Sequence, residues 1–285
     1  MKLPFFLAKR FVAAEDLSGA IPVVDALHQN GLTTTMNLLG EYVKERDLAL
    51  LARDKYLEIV EVLSGETTPS NRNISVKLSM IGQKIEEDFC VKKLRSILDA
   101  AVANKVFIRL DMEGTDTTDS TLAIFERVHA DYLDNVGIVL QAYLKRTDQD
   151  INRMCEINAR VRICKGAYKE PPSLAYQNMS EIREKMIEQA KKLIVEGNYP
   201  GIATHDDQII QATRDFVAEN NISNDRFEFQ MIYGIRPETQ LSLAREGYNM
   251  RVYVPFGRKW VPYFYRRLRE RKENVWFVLK NLFRR

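Results

Sequence analysis

The chain has 285 residues, enough to bury one large core or two small ones. Hydrophobic residues make up 45% and charged residues 28%, which excludes wholesale disorder. A net charge of +3 is too small to imply a nucleic-acid partner.

Residues 1–31 read as a helical lead-in. The apolar run over residues 3–8 is broken by Lys9 and Arg10, too early for a signal-peptide core. Short apolar runs, expected as buried strands, then alternate with amphipathic stretches expected as helices. The runs are 33–39, 74–80, 106–111, 137–142, 161–165, 201–205, 227–232 and 250–254. The helical stretches are 41–63, 85–102, 121–133, 148–157, 179–196, 208–219, 238–245 and 260–271. Strand–helix alternation predicts parallel strands joined by crossover helices. Eight units at this length predict a closed (β/α)8 TIM-type barrel, with an open sheet as the alternative. No linker splits the chain, so one domain is expected over residues 1–285. No GxGxxG turn follows a strand, so the dinucleotide fingerprint is missing.

From Arg251 to Arg285 there are eleven Lys/Arg against two Asp/Glu, a balance of +9, while the other 250 residues sum to −6. That asymmetry calls for an anionic ligand or surface. The tail over 272–285 interleaves aromatic and basic residues, including Trp276, Phe277 and Phe283. It is expected either to touch an anionic membrane peripherally or to pack on the barrel. No segment reaches the ~20 apolar residues of a membrane span. Cys90, Cys155 and Cys164 have no disulfide or zinc spacing, which points to a reducing cytoplasm. Three isolated histidines offer no metal-ligand cluster.

Chemistry on this architecture sits at the C-terminal ends of the strands. In chain order those ends carry Glu41; Lys77 and Ser79; Asp111 and Glu113; Gln141 and Tyr143; Arg162, Lys165, Gly166, Ala167 and Tyr168; Thr204, His205 and Asp206; Glu228 and Gln230; and Arg251 and Tyr253. One charged residue at a strand end is ordinarily solvated or salt-bridged. A whole rim of them is costly to bury without partners or a ligand. The last helix adds Arg266, Arg267 and Glu270. Adjacent arginines point about 100° apart on a helix, which still lets both grip one small carboxylate.

Together these pieces resemble the proline dehydrogenase family. As they stand here they are LGE at 39–41, KLS at 77–79, DME at 111–113, QAY at 141–143, RICKGAY at 162–168, ATH at 203–205, FEFQMIYG at 227–234, RVYVPFG at 251–257 and YFYRRLRE at 263–270. Each is short; nine in order across most of the chain are specific. The chain departs from the family's pattern at Ile232, where Leu is frequent, and at Lys169, where Trp is frequent.

The resemblance implies a distorted barrel whose last helix lies over the mouth, FAD as cofactor, and oxidation of L-proline to Δ1-pyrroline-5-carboxylate. Electrons then pass to a quinone or another acceptor. It implies that Arg266, Arg267 and Lys77 bind the proline carboxylate, with Glu270 in the same pocket. Tyr253 would pack on the proline ring with Asp111 beside it, and Glu41 would pair with a substrate-binding arginine. Arg162 would lie at the redox edge of the flavin. Gln141, Lys165, Gly166, Ala167, Tyr168, Thr204 and His205 would line the FAD site. Two other readings compete: an aldolase-like barrel using a Schiff base on Lys77 or Lys165, and a non-enzymatic membrane-surface module acting through the basic tail.

Overall fold

The structure, a computed structural model, describes residues 4–40, 42–65 and 71–270, with no side chains described for 268–270. Eight parallel strands close into a barrel in sequence order, β1 pairing with both β2 and β8. They are β1 (Thr33–Leu38), β2 (Asn73–Val76), β3 (Phe107–Leu110), β4 (Val136–Gln141), β5 (Arg160–Cys164), β6 (Gly201–Ala203), β7 (Glu228–Ile232) and β8 (Met250–Phe256). Nine α-helices are described: α1 (Leu17–Gln29), α2 (Arg46–Ser64), α3 (Glu87–Ala103), α4 (Thr115–His129), α5 (Thr147–Glu156), α6 (Met179–Glu196), α7 (Asp207–Glu219), α8 (Pro237–Arg245) and α9 (Trp260–Glu270). The expected (β/α)8 barrel is therefore the fold, and every expected strand falls on an observed one.

Strand residues alternate between the helical layer and the barrel interior. Apart from Thr34, which meets His28 of the helical layer, the outward phase is apolar: Met36, Ile74, Val76, Ile108, Leu110, Ile138, Leu140, Val161, Ile163, Phe229, Met231, Val252 and Val254 are all buried. The inward phase is mostly polar. It holds Asn37, Ser75, Lys77, Arg109, Asp111, Gln141, Arg162, Glu228, Gln230, Arg251 and Tyr253. Contacts across the barrel prove the direction, since Arg162 on β5 reaches Ser75 on β2 and the Asp111 side chain after β3. A polar interior is expensive unless its groups satisfy one another.

At the barrel floor a buried ion pair meets part of that cost. Arg251 Nε donates to Glu228 Oε1 at 2.8 Å, and its Nη1 donates to the Thr34 carbonyl at 2.7 Å. Burial alone would raise the Glu228 pKa, but the charge and hydrogen bond of Arg251 outweigh it and bring it to about 2. A depressed carboxyl pKa stabilises the fold fully above its unfolded value of about 4.5. That contribution disappears as pH falls from 4.5 toward 2. The urea midpoint should therefore drop steeply across this window, and Glu228→Gln should shallow the drop while lowering the midpoint at pH 7. An unchanged slope would contradict the assignment.

Two helices began elsewhere than the periodicity predicts. The stretch expected to be helical from residue 41 becomes α2 only at Arg46. Before it, the Tyr42 and Val43 amides donate to the Ser79 hydroxyl and carbonyl, and Tyr42 has a positive φ of 53°. The chain there is spent tying β1 to β2. Helix α4 starts at Thr115, six residues before the expected 121. Its Thr- and Asp-rich opening turns are helical because Glu170 accepts from the Thr115 amide at 2.9 Å and Thr117 Oγ1 donates to the Gly114 carbonyl at 3.0 Å. The lead-in is helical only in part: one 3-10 turn at Phe5–Leu7, then α1 behind an Asp16 cap that accepts from Gly19 N at 2.9 Å.

Helix α1 packs against β1 and β8, the flank where the helix after β8 would sit in a regular barrel. That leaves α9 to cross the mouth. Its Trp260, Tyr263 and Phe264 form a second apolar cluster with Leu39, Ile235 and the lead-in residues Leu7, Phe11 and Val12. Trp260 Nε1 also donates to Glu15 Oε1 at 3.2 Å. The lead-in is fixed in turn by the turn after β7. A Cβ on Gly234 would lie 1.5 Å from the Arg10 carbonyl oxygen, and its φ is +72°, so only glycine fits.

Candidate active site

Asp111 lies just beyond β3 and organises the mouth. Lys77 Nζ donates to Asp111 Oδ2 at 3.2 Å, Tyr253 Oη donates to the same oxygen at 2.7 Å, and Arg162 Nη1 donates to Oδ1 at 3.0 Å. Strands β2, β5 and β8 thus deliver their side chains to one carboxylate. Lys77 also donates to Asn37 Oδ1 at 2.9 Å and lies 3.5 Å from Tyr253 Oη. Its backbone amide is held by the hydroxyl of Tyr56, a fully buried residue of α2. The Arg162 guanidinium stacks 5.3 Å from the Tyr253 ring centroid.

The charge states follow from burial and neighbours. Burial alone would lower the Lys77 pKa, but the Asp111 carboxylate outweighs it and lifts the ammonium above its ordinary value. Burial alone would raise Asp111, but Lys77 and then Arg162 hold it below the usual carboxylate range. Tyr253 is pushed well above the normal phenol range, first by burial and then by Asp111. The resting set is a charged lysine, an ionised aspartate and a neutral phenol. A lysine fixed in that state is a poor Schiff-base nucleophile, which counts against the aldolase-like reading through Lys77.

A second group stands at the ends of β5 and β6. Lys165 Nζ and Arg183 Nε both donate to Asp206 Oδ2, at 2.5 and 2.9 Å. Burial alone would raise the Asp206 pKa, yet those two hydrogen bonds bring it to about 2. Asp206 also caps α7 by accepting from Gln208 N. His205 Nε2 accepts from the Ile232 amide at 2.9 Å, and Thr204 Oγ1 accepts from the Asp206 amide. Gly166 has φ +109°, and a Cβ there would lie 2.2 Å from the Tyr143 ring, so the loop carrying Ala167 and Tyr168 needs glycine at that turn.

On α9, Arg267 is buried and Arg266 is half-exposed, and their guanidiniums lie 5.2 and 6.0 Å from the Tyr263 ring centroid. Glu41, the side chain of Glu270 and the tail at 272–285 lie outside the described residues.

Lys77, Asp111, Arg162 and Tyr253 therefore meet directly, while Lys165, Thr204 and His205 form a separate group on β5 and β6. Gln141 sits on β4, its Nε2 donating to the Glu113 carbonyl at 3.2 Å. The sequence reading passed over Asn37, Ser75, Tyr56 and Arg183. Asn37 and Ser75 share the inward phase of their strands, a signal that reading only strand ends discards. Tyr56 and Arg183 sit on helices and carry no such signal.

Three comparisons converge on this architecture. A family model described as proline dehydrogenase matches residues 20–280. Proline dehydrogenase 2 of Bacillus subtilis strain 168 is 37% identical over 275 residues, covering 96% of this chain and 90% of the relative. Proline dehydrogenase 1 of the same strain is 38% identical over 278 residues, covering 98% and 91%. The crystal structure of proline utilization A from Bdellovibrio bacteriovorus, inactivated by N-propargylglycine, superposes with a TM-score of 0.86 at 26% identity. It covers 93% of this chain, which spans only 32% of that longer protein. A polar-lined barrel with a basic helix across its mouth, matched nearly end to end by such relatives, leads to one assignment: the chain belongs to the proline dehydrogenase family.

Proposed function

We propose that the barrel mouth oxidises L-proline to Δ1-pyrroline-5-carboxylate with FAD as the resident cofactor, the first step of proline catabolism. The observation that carries this reading is the Asp111 cluster with its unspent donors. Arg162 commits Nη1 to Asp111 and Ser75, while its buried Nε and Nη2 meet no hydrogen-bond partner among the described residues. Gln141 Oε1 is a buried acceptor in the same condition. A flavin ring presents acceptors and an N–H donor along one edge, so this donor and acceptor set fits it. Arg162 would face the redox edge and stabilise negative charge there. Gln141, Lys165, Gly166, Ala167, Tyr168, Thr204 and His205 would line the rest of the cofactor site. FAD, when bound, supplies the hydride acceptor.

The chain's own residues position the substrate. Arg266, Arg267 and Lys77 bind the carboxylate, with Glu270 in the same pocket and Glu41 pairing with a substrate-binding arginine. Tyr253 packs on the ring, its hydroxyl pinned by Asp111. Fixing the carboxylate would leave the hydrogen-bearing ring carbon free to face the acceptor that FAD would supply. The ring amine must be unprotonated as the C=N bond forms. Neither the charged Lys77 nor the neutral Tyr253 is in a state to take its proton.

Electrons leave to a quinone or another acceptor, and the basic tail offers a peripheral contact on the inner face of a membrane from a cytoplasmic enzyme. Residues 1–285 would form one domain. Among the described residues no helix is long and apolar enough to cross a membrane. The test is a visible spectrum of the purified protein. An absorbance band near about 450 nm that bleaches on anaerobic addition of proline is expected. A protein that stays colourless after FAD reconstitution, or a flavin that proline does not reduce, would reject the reading.

A further inference from the structure

Asn37 stands on the inward phase of β1, level with Ser75 of β2 and Pro255 of β8. It is fully buried. Its carboxamide takes the Lys77 ammonium at 2.9 Å, the shortest of the three contacts that ammonium makes. A lysine ammonium has donors only, so the amide oxygen must face it. That fixes the NH2 group at the other corner of the planar amide. There Nδ2 is buried and meets no hydrogen-bond partner among the described residues. A buried donor left this way costs about 1–3 kcal/mol, a cost that an acceptor supplied by a ligand would offset. The amide's dimensions keep Nδ2 within about 5 Å of the Lys77 ammonium. Two adjacent donors, one of them cationic, match a group with two anionic oxygens.

Resting on the reading of this mouth as a proline site, we propose that Asn37 is a substrate-binding residue whose amide oxygen orients Lys77 and whose amide nitrogen donates to the substrate carboxylate. Asn37 and Lys77 then work as one unit reaching up from the barrel, opposite the arginines reaching down from α9. The donor discriminates by charge: it favours a ring acid over the neutral amide of the same shape.

The test uses FAD-loaded full-length enzyme and titration calorimetry with two unreactive probes, cyclopentanecarboxylate and cyclopentanecarboxamide. Asn37→Leu removes the donor without adding charge, and Asn37→Asp keeps an acceptor for Lys77 while removing the donor. Both variants should bind the carboxylate about tenfold or more weakly and the carboxamide less than about threefold more weakly. In steady state the loss should appear in KM for proline more than in kcat. Equal weakening of both probes in either variant would mark Asn37 as merely structural and overturn the proposal. Selective loss in Asn37→Asp alone would assign the effect to added charge and overturn it too. Should proline fail to reduce the flavin of the unaltered enzyme, the functional reading falls instead, an outcome the spectrum separates from a failure of Asn37.

Discussion

Arg267→Met is expected to raise the KM for proline by about two orders of magnitude while FAD stays bound. Arg267 is buried on α9, held against the Tyr263 ring. A guanidinium in that setting gives paired, charge-assisted hydrogen bonds to a carboxylate shielded from water. Losing one side of a desolvated charge pair costs about 2–5 kcal/mol, and most of that would be felt in the bound ground state as well as in the transition state. The effect therefore falls on KM more than on kcat. Arg266 is half-exposed, so Arg266→Met should raise KM by a smaller factor. Steady-state kinetics on both variants, with flavin absorbance as the control for the helix, checks the ranking. A larger effect at Arg266, or unaltered proline kinetics at Arg267, would contradict the assigned roles.

Asp111→Ala should have the largest effect on stability of any single change at the mouth. The carboxylate is the shared partner of Lys77, Arg162 and Tyr253. Removing it leaves two buried cations without their counter-charge, which costs about 3–5 kcal/mol. The denaturant midpoint should fall accordingly. Asp111→Asn should fall less, because the amide keeps one acceptor and the volume.

The same variant also tests the charge logic. In the unaltered protein Asp111 holds Lys77 above its ordinary pKa, so the ammonium persists throughout the working range. Without Asp111, burial acts on Lys77 with less opposition and lowers its pKa. Carboxylate affinity should then weaken as pH rises, at a pH where the unaltered enzyme is flat. A flat KM–pH profile in Asp111→Ala would mean that Lys77 does not owe its charge to Asp111.

The element order was readable because a parallel barrel writes two periods into the chain, short apolar runs and longer amphipathic ones. Helix α6 shows it well: its buried Ile182, Met186, Ala190 and Leu193 recur every three to four residues, and both its ends fall where the periodicity puts them. Helix starts were misread where tertiary hydrogen bonds overrode propensity. Ser79 captures the chain at Tyr42 and Val43 and delays α2, and Glu170, remote in sequence, caps α4 early.

The same division runs through the site. Motif order alone picked out Lys77, Asp111, Arg162, Tyr253 and the arginines of α9. It did not reveal that Lys77, Arg162 and Tyr253 all meet the Asp111 carboxylate, nor that Asn37 stands beside them with an amide to spare. Those facts depend on strand register and on the reach of side chains across a closed barrel. Residue identity and spacing are local properties, so the sequence carries the alternation, the inventory of charges and the family likeness. Which charges neutralise one another, which donors remain, and which flank α1 occupies so that α9 must cross the mouth depend on distances between residues far apart along the chain. Only closure of the barrel sets those distances.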